Sequence, residues 1–78
     1  MEQNKIGNFM YNNTSDRWCL NFNDYYVELH CGDCFLIKLK DKQWREVRIE
    51  IGDDKWYLIT SIGDISIPTY PCKVKEIK

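Results

Sequence analysis

The sequence predicts an all-β domain, a small, partly open barrel of SH3-like type, with a twisted antiparallel meander of about six short strands as the alternative. Three observations predict it. No window carries apolar residues at helical spacing over two turns. Short runs of alternating apolar and polar residues recur, each closed by glycine or by small polar residues. Aromatic residues make up 14% of the chain, so even a short curled sheet can enclose a core.

Taken in order, residues 6–11 alternate as a half-buried strand, with Phe9 and Tyr11 on one face and Asn8 and Met10 on the other. Asn12-Asn13-Thr14-Ser15-Asp16 is a turn of residues that hydrogen-bond their own backbone, and it returns the chain as a hairpin. Residues 17–22 put Trp18, Leu20 and Phe22 inward and Arg17, Cys19 and Asn21 outward. Asn23-Asp24 breaks the pattern before residues 25–29, an ambiguous stretch in which Tyr25, Val27 and Leu29 alternate as in a short strand and no helical face is visible. Leu29-His30-Cys31-Gly32-Asp33-Cys34-Phe35 follows, concentrating the single histidine, two cysteines and a turn-forming glycine.

Residues 34–39 place Phe35, Ile37 and Leu39 inward, and residues 40–43 form a loop. In residues 44–51 the inner face is Val47, Ile49 and Ile51, and the outer face is Trp44, Glu46, Arg48 and Glu50. Gly52-Asp53-Asp54 turns the chain into residues 55–60, with Trp56 and Leu58 on one face. Residues 60–72, interrupted by Gly63, Pro68 and Pro71, suit either a short edge strand or a 3₁₀ turn. The closing residues 73–77 mix charged and β-branched side chains as in an edge strand, whose lysines discourage aggregation.

The 78 residues make one domain, 1–78, near the size where a single core only just offsets backbone entropy. A hydrophobic content of 44%, including three Trp, five Tyr and three Phe, argues against disorder. Eleven basic and 12 acidic residues leave a net charge of -1, which excludes a global pull toward nucleic acid or anionic membrane. The start, Met1-Glu2-Gln3-Asn4-Lys5, leads into no apolar run of signal-peptide or membrane-span length. A cytoplasmic protein with reduced thiols and no membrane partner is therefore expected.

The combination Tyr11-Asn12 with Asp16-Arg17, then Leu29-His30-Cys31-Gly32-Asp33-Cys34-Phe35, Trp44 with Arg48-Ile49-Glu50, Trp56-Tyr57-Leu58, and Val74 with Ile77 resembles a small family of domains of unknown function. That family comes from Gram-positive bacteria and their phages and mobile elements. The resemblance covers most of the chain. It implies a stand-alone domain in a bacterial or phage setting and supplies no activity. The departure is Pro71-Cys72, where the resemblance leads one to expect a glycine-containing turn before the last strand.

No nucleophile with its base, phosphate loop or complete metal set is recognisable, so an enzyme is not expected. Cys31-Gly32-Asp33-Cys34 has a spacing that lets two thiolates face one metal, and His30, Cys72 or Cys19 could complete a zinc tetrahedron. A second close pair is missing. A redox pair would need a helix after the cysteines, and a strand follows instead. His30 and Cys31, adjacent on extended chain, point apart and make no dyad.

Lys38, Lys40, Lys42, Arg45 and Arg48 gather around one predicted hairpin with Trp44, a mixture of cation and indole that suits phosphate and base contacts. Tyr25, Tyr26 and Tyr57 join Trp44 as aromatics expected to be partly exposed, and Tyr and Trp beside Arg are enriched in binding hot spots. The function expected is a non-catalytic cytoplasmic module that binds a protein partner without a cofactor. The phage and mobile-element setting implied by the resemblance adds an inhibitor that sequesters a host component. A nucleic-acid-binding barrel and a zinc-stabilised structural domain are the alternatives.

Overall fold

In the first turn, Asn12 accepts from the Thr14 amide through its side chain (2.9 Å) and from the Asp16 amide through its carbonyl (2.8 Å). Asp16 takes the left-handed conformation, φ 59°, which short polar side chains tolerate. The turn sets the register Tyr11↔Trp18 and Phe9↔Leu20 between β1 (Gly7–Asn12) and β2 (Arg17–Phe22). A computed structural model of the chain describes residues 5–77.

The remaining strands are β3 (Tyr25–Glu28), β4 (Cys34–Lys38), β5 (Trp44–Gly52), β6 (Lys55–Thr60), β7 (Gly63–Ser66) and β8 (Lys73–Glu76). Asp53 and Asp54, at φ 51° and 63°, form a two-residue turn that joins β5 to β6 at the pair Gly52↔Lys55. Thr60 closes the next turn, its Oγ1 donating to the Gly63 carbonyl (2.6 Å) and accepting from the Ile62 amide (3.1 Å). The segment expected as an edge strand or a 3₁₀ turn thus contributes the edge strand β7, and the strands number eight rather than about six.

All strands pair antiparallel in one open sheet of order β3-β2-β1-β8-β4-β5-β6-β7. The expectation of a small, partly open β fold holds, but the meander breaks at one place. β8, expected at an edge, inserts between β1 and β4, with Gly7↔Val74 on one side and Ile37↔Val74 on the other. The reason is Val74, which is fully buried and needs a covered position, while the flanking lysines point to the opposite face.

The crossing from β3 to β4 shows how far the sheet rolls. The Leu29 amide donates to the Trp18 carbonyl, prolonging β3, and the Gly32 amide donates to the Ile49 carbonyl, prolonging β4. Three residues of chain reach at most about 11 Å. Four strand spacings in a flat sheet would be about 19 Å, so the sheet must curl to let so short a segment cross. Gly32 at φ 93° makes the sharp corner, and the Asp33 carboxylate accepts from the His30 amide (2.8 Å) to fix it. Leu29 and Phe35, on the two sides of this corner, are both in the core.

Phe9, Leu20, Phe22, Phe35, Ile37, Val47, Ile49, Leu58 and Val74 fill the inner face together with Leu29 and Cys72. Gly7 lets this face close, because a Cβ there would fall 2.5 Å from the Asn21 carbonyl oxygen and 2.7 Å from the Phe22 ring. Two inner-face expectations need correction. Ile51 is 43% exposed, since it lies beyond Ile49 at the outer end of the long β5 hairpin. Cys19 does point away from the core, yet it is 3% exposed; Met10 and Glu28, its partners on the neighbouring strands, flank it on the outer face. Among the described residues no helix is long and apolar enough to cross a membrane.

Candidate functional site

The inner face is not sealed at the β1–β2 end. Phe35 begins a ladder of rings, with Phe9 stacked on it at 5.6 Å, Trp18 on Phe9 at 4.6 Å, and Tyr11 edge-on to Trp18 at 5.2 Å. Exposure rises along it from 0% at Phe35 to 37% at Tyr11. The facing wall is the segment from β7 to β8, where Pro68 and Pro71 restrict the backbone on either side of Tyr70. The Phe9 amide donates to the Cys72 carbonyl (3.1 Å), which ties that wall to β1. Between them lies a cleft of about 700 Å³, lined by Tyr11, Trp18, Ile67, Pro68 and Tyr70 among others. Lys40 Nζ stands 4.8 Å from the Tyr70 ring centroid.

The residues expected to form one contact surface are divided between the two faces. Trp44 and Lys38 do meet, with Nζ 5.7 Å from the indole centroid. Arg48 shares their face and engages Glu50 at 3.0 Å. Arg45 takes the other face, because side chains alternate along β5 and its neighbour Val47 is in the core. There Arg45 Nε donates to Asp41 (3.2 Å), and this guanidinium, helped by the Gln43 amide, holds the Asp41 carboxyl below its ordinary range. Lys42 is in the loop at φ 64°, and Lys40 goes to Tyr70 instead of Trp44.

The tyrosines divide in the same way. Tyr25 stacks on Phe22 at 5.0 Å, and its hydroxyl donates to Glu76 (3.1 Å). Burial and this carboxylate push the Tyr25 phenol up. Tyr26, adjacent to it, faces away, and Tyr57 lies across from Glu50 on β5.

The metal candidates are not assembled. Cys72 is buried in the core, whereas His30, Cys31 and Cys34 are exposed at the β3–β4 corner. Among the described residues no group of three or more His, Cys, Asp or Glu side chains could hold a metal ion. Burial pushes the Cys19 and Cys72 thiols up, and Glu28 adds to the effect at Cys19. Since the thiolate is the reactive form, a thiol reagent at neutral pH is expected to modify Cys31 and Cys34 before Cys19 and Cys72. Mass mapping of a time course checks this, and early labelling of Cys72 would contradict the burial described.

Sequence reasoning missed the cleft. The alternation places Trp18 inward and Tyr11 on a strand face, and it gives Tyr70, within residues 60–72, no role. The usable signal was Pro68-Thr69-Tyr70-Pro71, an aromatic held between two prolines. Lys73 and Lys75 were also missed as partners of Trp44, although Lys75 Nζ is 4.4 Å from its centroid.

A family model described as a domain of unknown function, DUF5348, matches residues 7–74. The crystal structure of a protein from Ruminococcus gnavus is similar over 91% of this chain and 99% of that one, at 34% identity and a TM-score of 0.71. None of the curated proteins matches.

Proposed function

Since the chain belongs to the DUF5348 family of domains of unknown function, we propose a role from its surfaces: a non-catalytic module that binds an extended segment of a protein partner. The observation that carries this reading is the aromatic cleft. Rings from Tyr11, Trp18 and Tyr70 beside Pro68 form the kind of lining on which proline-rich or extended apolar segments dock. Such grooves work because a preformed extended ligand loses little entropy on binding. The lining supports a non-catalytic role as well, for it contains no His, Lys, Asp or Glu to act as general base. Its single thiol, Cys72, is pushed up by burial and so is a poor nucleophile.

The resemblance to domains of Gram-positive bacteria, phages and mobile elements extends the proposal to a cytoplasmic protein that sequesters a host component by this cleft. No cofactor is part of the proposal.

A displayed library of short proline- and aromatic-containing peptides, selected on the intact protein, tests it. Tyr11 is 37% exposed, so Tyr11→Ala is expected to spare the fold. Losing a ring at an interface hot spot costs about 2 kcal/mol, or about 30-fold in Kd. Selected peptides are expected to weaken by that order on Tyr11→Ala. A selection without binders, or binders indifferent to this change, would overturn the proposal.

A further inference from the structure

The insertion of β8 beside β4 creates a charge arrangement on the outer face of the sheet, opposite the core. Lys38 stands directly across from Lys73, and on its other side across from Trp44, so that Lys73, Lys38 and Trp44 form one row over three strands. Lys75, two residues along β8, reaches the same indole at 4.4 Å, against 5.7 Å for Lys38. Lys73 Nζ donates to Asn8 Oδ1 at 3.1 Å. By strand alternation, the other outward residues of β4 are Cys34 and Leu36, so the outer face of β8 and β4 carries no carboxylate. On β5, Glu46 lies across from Leu36, and Glu50 is engaged by Arg48 at 3.0 Å.

Like charges directly opposed in neighbouring strands destabilise a sheet. Each cation–π contact to the half-buried Trp44 ring offsets only part of this repulsion. A bound polyanion relieves this repulsion, and the net charge of -1 means that the positive charge is local rather than general.

We propose that this face binds single-stranded nucleic acid, with phosphates on Lys38, Lys73 and Lys75 and one base stacked on Trp44. The indole decides between polyanions. An acidic peptide would use the ammonium groups and leave the ring idle, and a duplex keeps its bases stacked on each other, whereas a single strand offers both charges and π-faces. The surface lies across the sheet from the aromatic cleft, so the two proposals stand or fall separately.

Fluorescence anisotropy of a labelled oligothymidylate with the intact chain provides the test. Three phosphate contacts give a slope of about −2 in log K against log salt, so affinity is expected to fall about 20-fold between about 50 and 200 mM salt. Lys73→Gln/Lys75→Gln relieves repulsion and is expected to leave the fold intact, with the salt effect reduced to about threefold. Trp44→Ala is expected to weaken binding about tenfold or more, as loss of a stacking platform does. Tyr11→Ala, in the cleft, should leave it unchanged. Absence of binding at about 50 mM salt, or binding unaltered by the lysine substitutions, would overturn the proposal. So would polyglutamate competing as strongly as the oligonucleotide, which would assign the face to an acidic peptide.

Discussion

Phe35→Ala is expected to leave most of the chain unfolded at room temperature. Phe35 has no exposed surface, and its ring lies at the inner end of the ladder that continues through Phe9 and Trp18 to Tyr11. Its strand is next to β8, the strand through which the two halves of the sheet are joined. Truncating a buried Phe to Ala costs about 3–5 kcal/mol, from lost transfer energy and from the cavity left behind. A single core of this size supplies about 3–5 kcal/mol in total. The two quantities are equal in scale, so little folded population should remain. Urea titration followed by tryptophan fluorescence would show the substituted chain without a native baseline, and a loss below about 1 kcal/mol would contradict the central placement of Phe35.

Val74→Asp is expected to be comparably damaging, although it changes a four-residue strand close to the end of the chain. Val74 is fully buried, between Gly7 on β1 and Ile37 on β4. A carboxylate there has no paired cation within the apolar core, and burying an unpaired charge costs several kcal/mol or forces it to take up a proton. The substituted protein should therefore be least stable above the carboxyl's ordinary range and recover part of its stability in acid, where that side chain is neutral. Ser66→Asp, exposed on the edge strand β7, is the comparison and should alter stability by no more than about 0.5 kcal/mol. Circular dichroism melts of both variants separate the cases. Equal, small effects would return β8 to the sheet edge.

Two hairpins were legible because their chemistry is local. Asn12 through Asp16 and Asp53-Asp54 bend the chain with their own side chains and dihedrals, whereas the turn from Thr60 to Gly63 lay in a segment that suited two forms. Period-2 alternation marked Phe35, Ile37, Val47, Ile49 and Leu58 as inward, since a strand beside a core has only two faces. It failed at Ile51, where the hairpin outruns the core, because alternation tells which face a residue takes and not whether anything covers it.

The binding surfaces were much less legible. Trp44 and Arg45 are adjacent in the chain and were grouped as one patch, yet the pleat sends them to opposite sides. Tyr11 and Trp18 face each other in the first hairpin, but Tyr70 is far from both in sequence, and only the crossing from β7 to β8 sets it against them. Lys38 gains Lys73 and Lys75 as neighbours for the same reason.

The β3–β4 corner depends on local and on distant structure. Leu29-His30-Cys31-Gly32-Asp33-Cys34-Phe35 by itself specified a turn with two apolar anchors, because Gly32 alone tolerates φ 93° and the Asp33 carboxylate is within reach of the His30 amide. That this turn spans a rolled sheet was a tertiary result. Sequence determined the strands other than β7, the turns at residues 12–16 and 52–54, and the inward side of most strands, which depend on neighbouring residues. Only the tertiary structure decided that β8 lies at the centre, that an aromatic cleft opens on one face, and that three lysines meet a tryptophan on the other. Those outcomes rest on pairings between distant strands, and local alternation carries no information about which strand lies next to which.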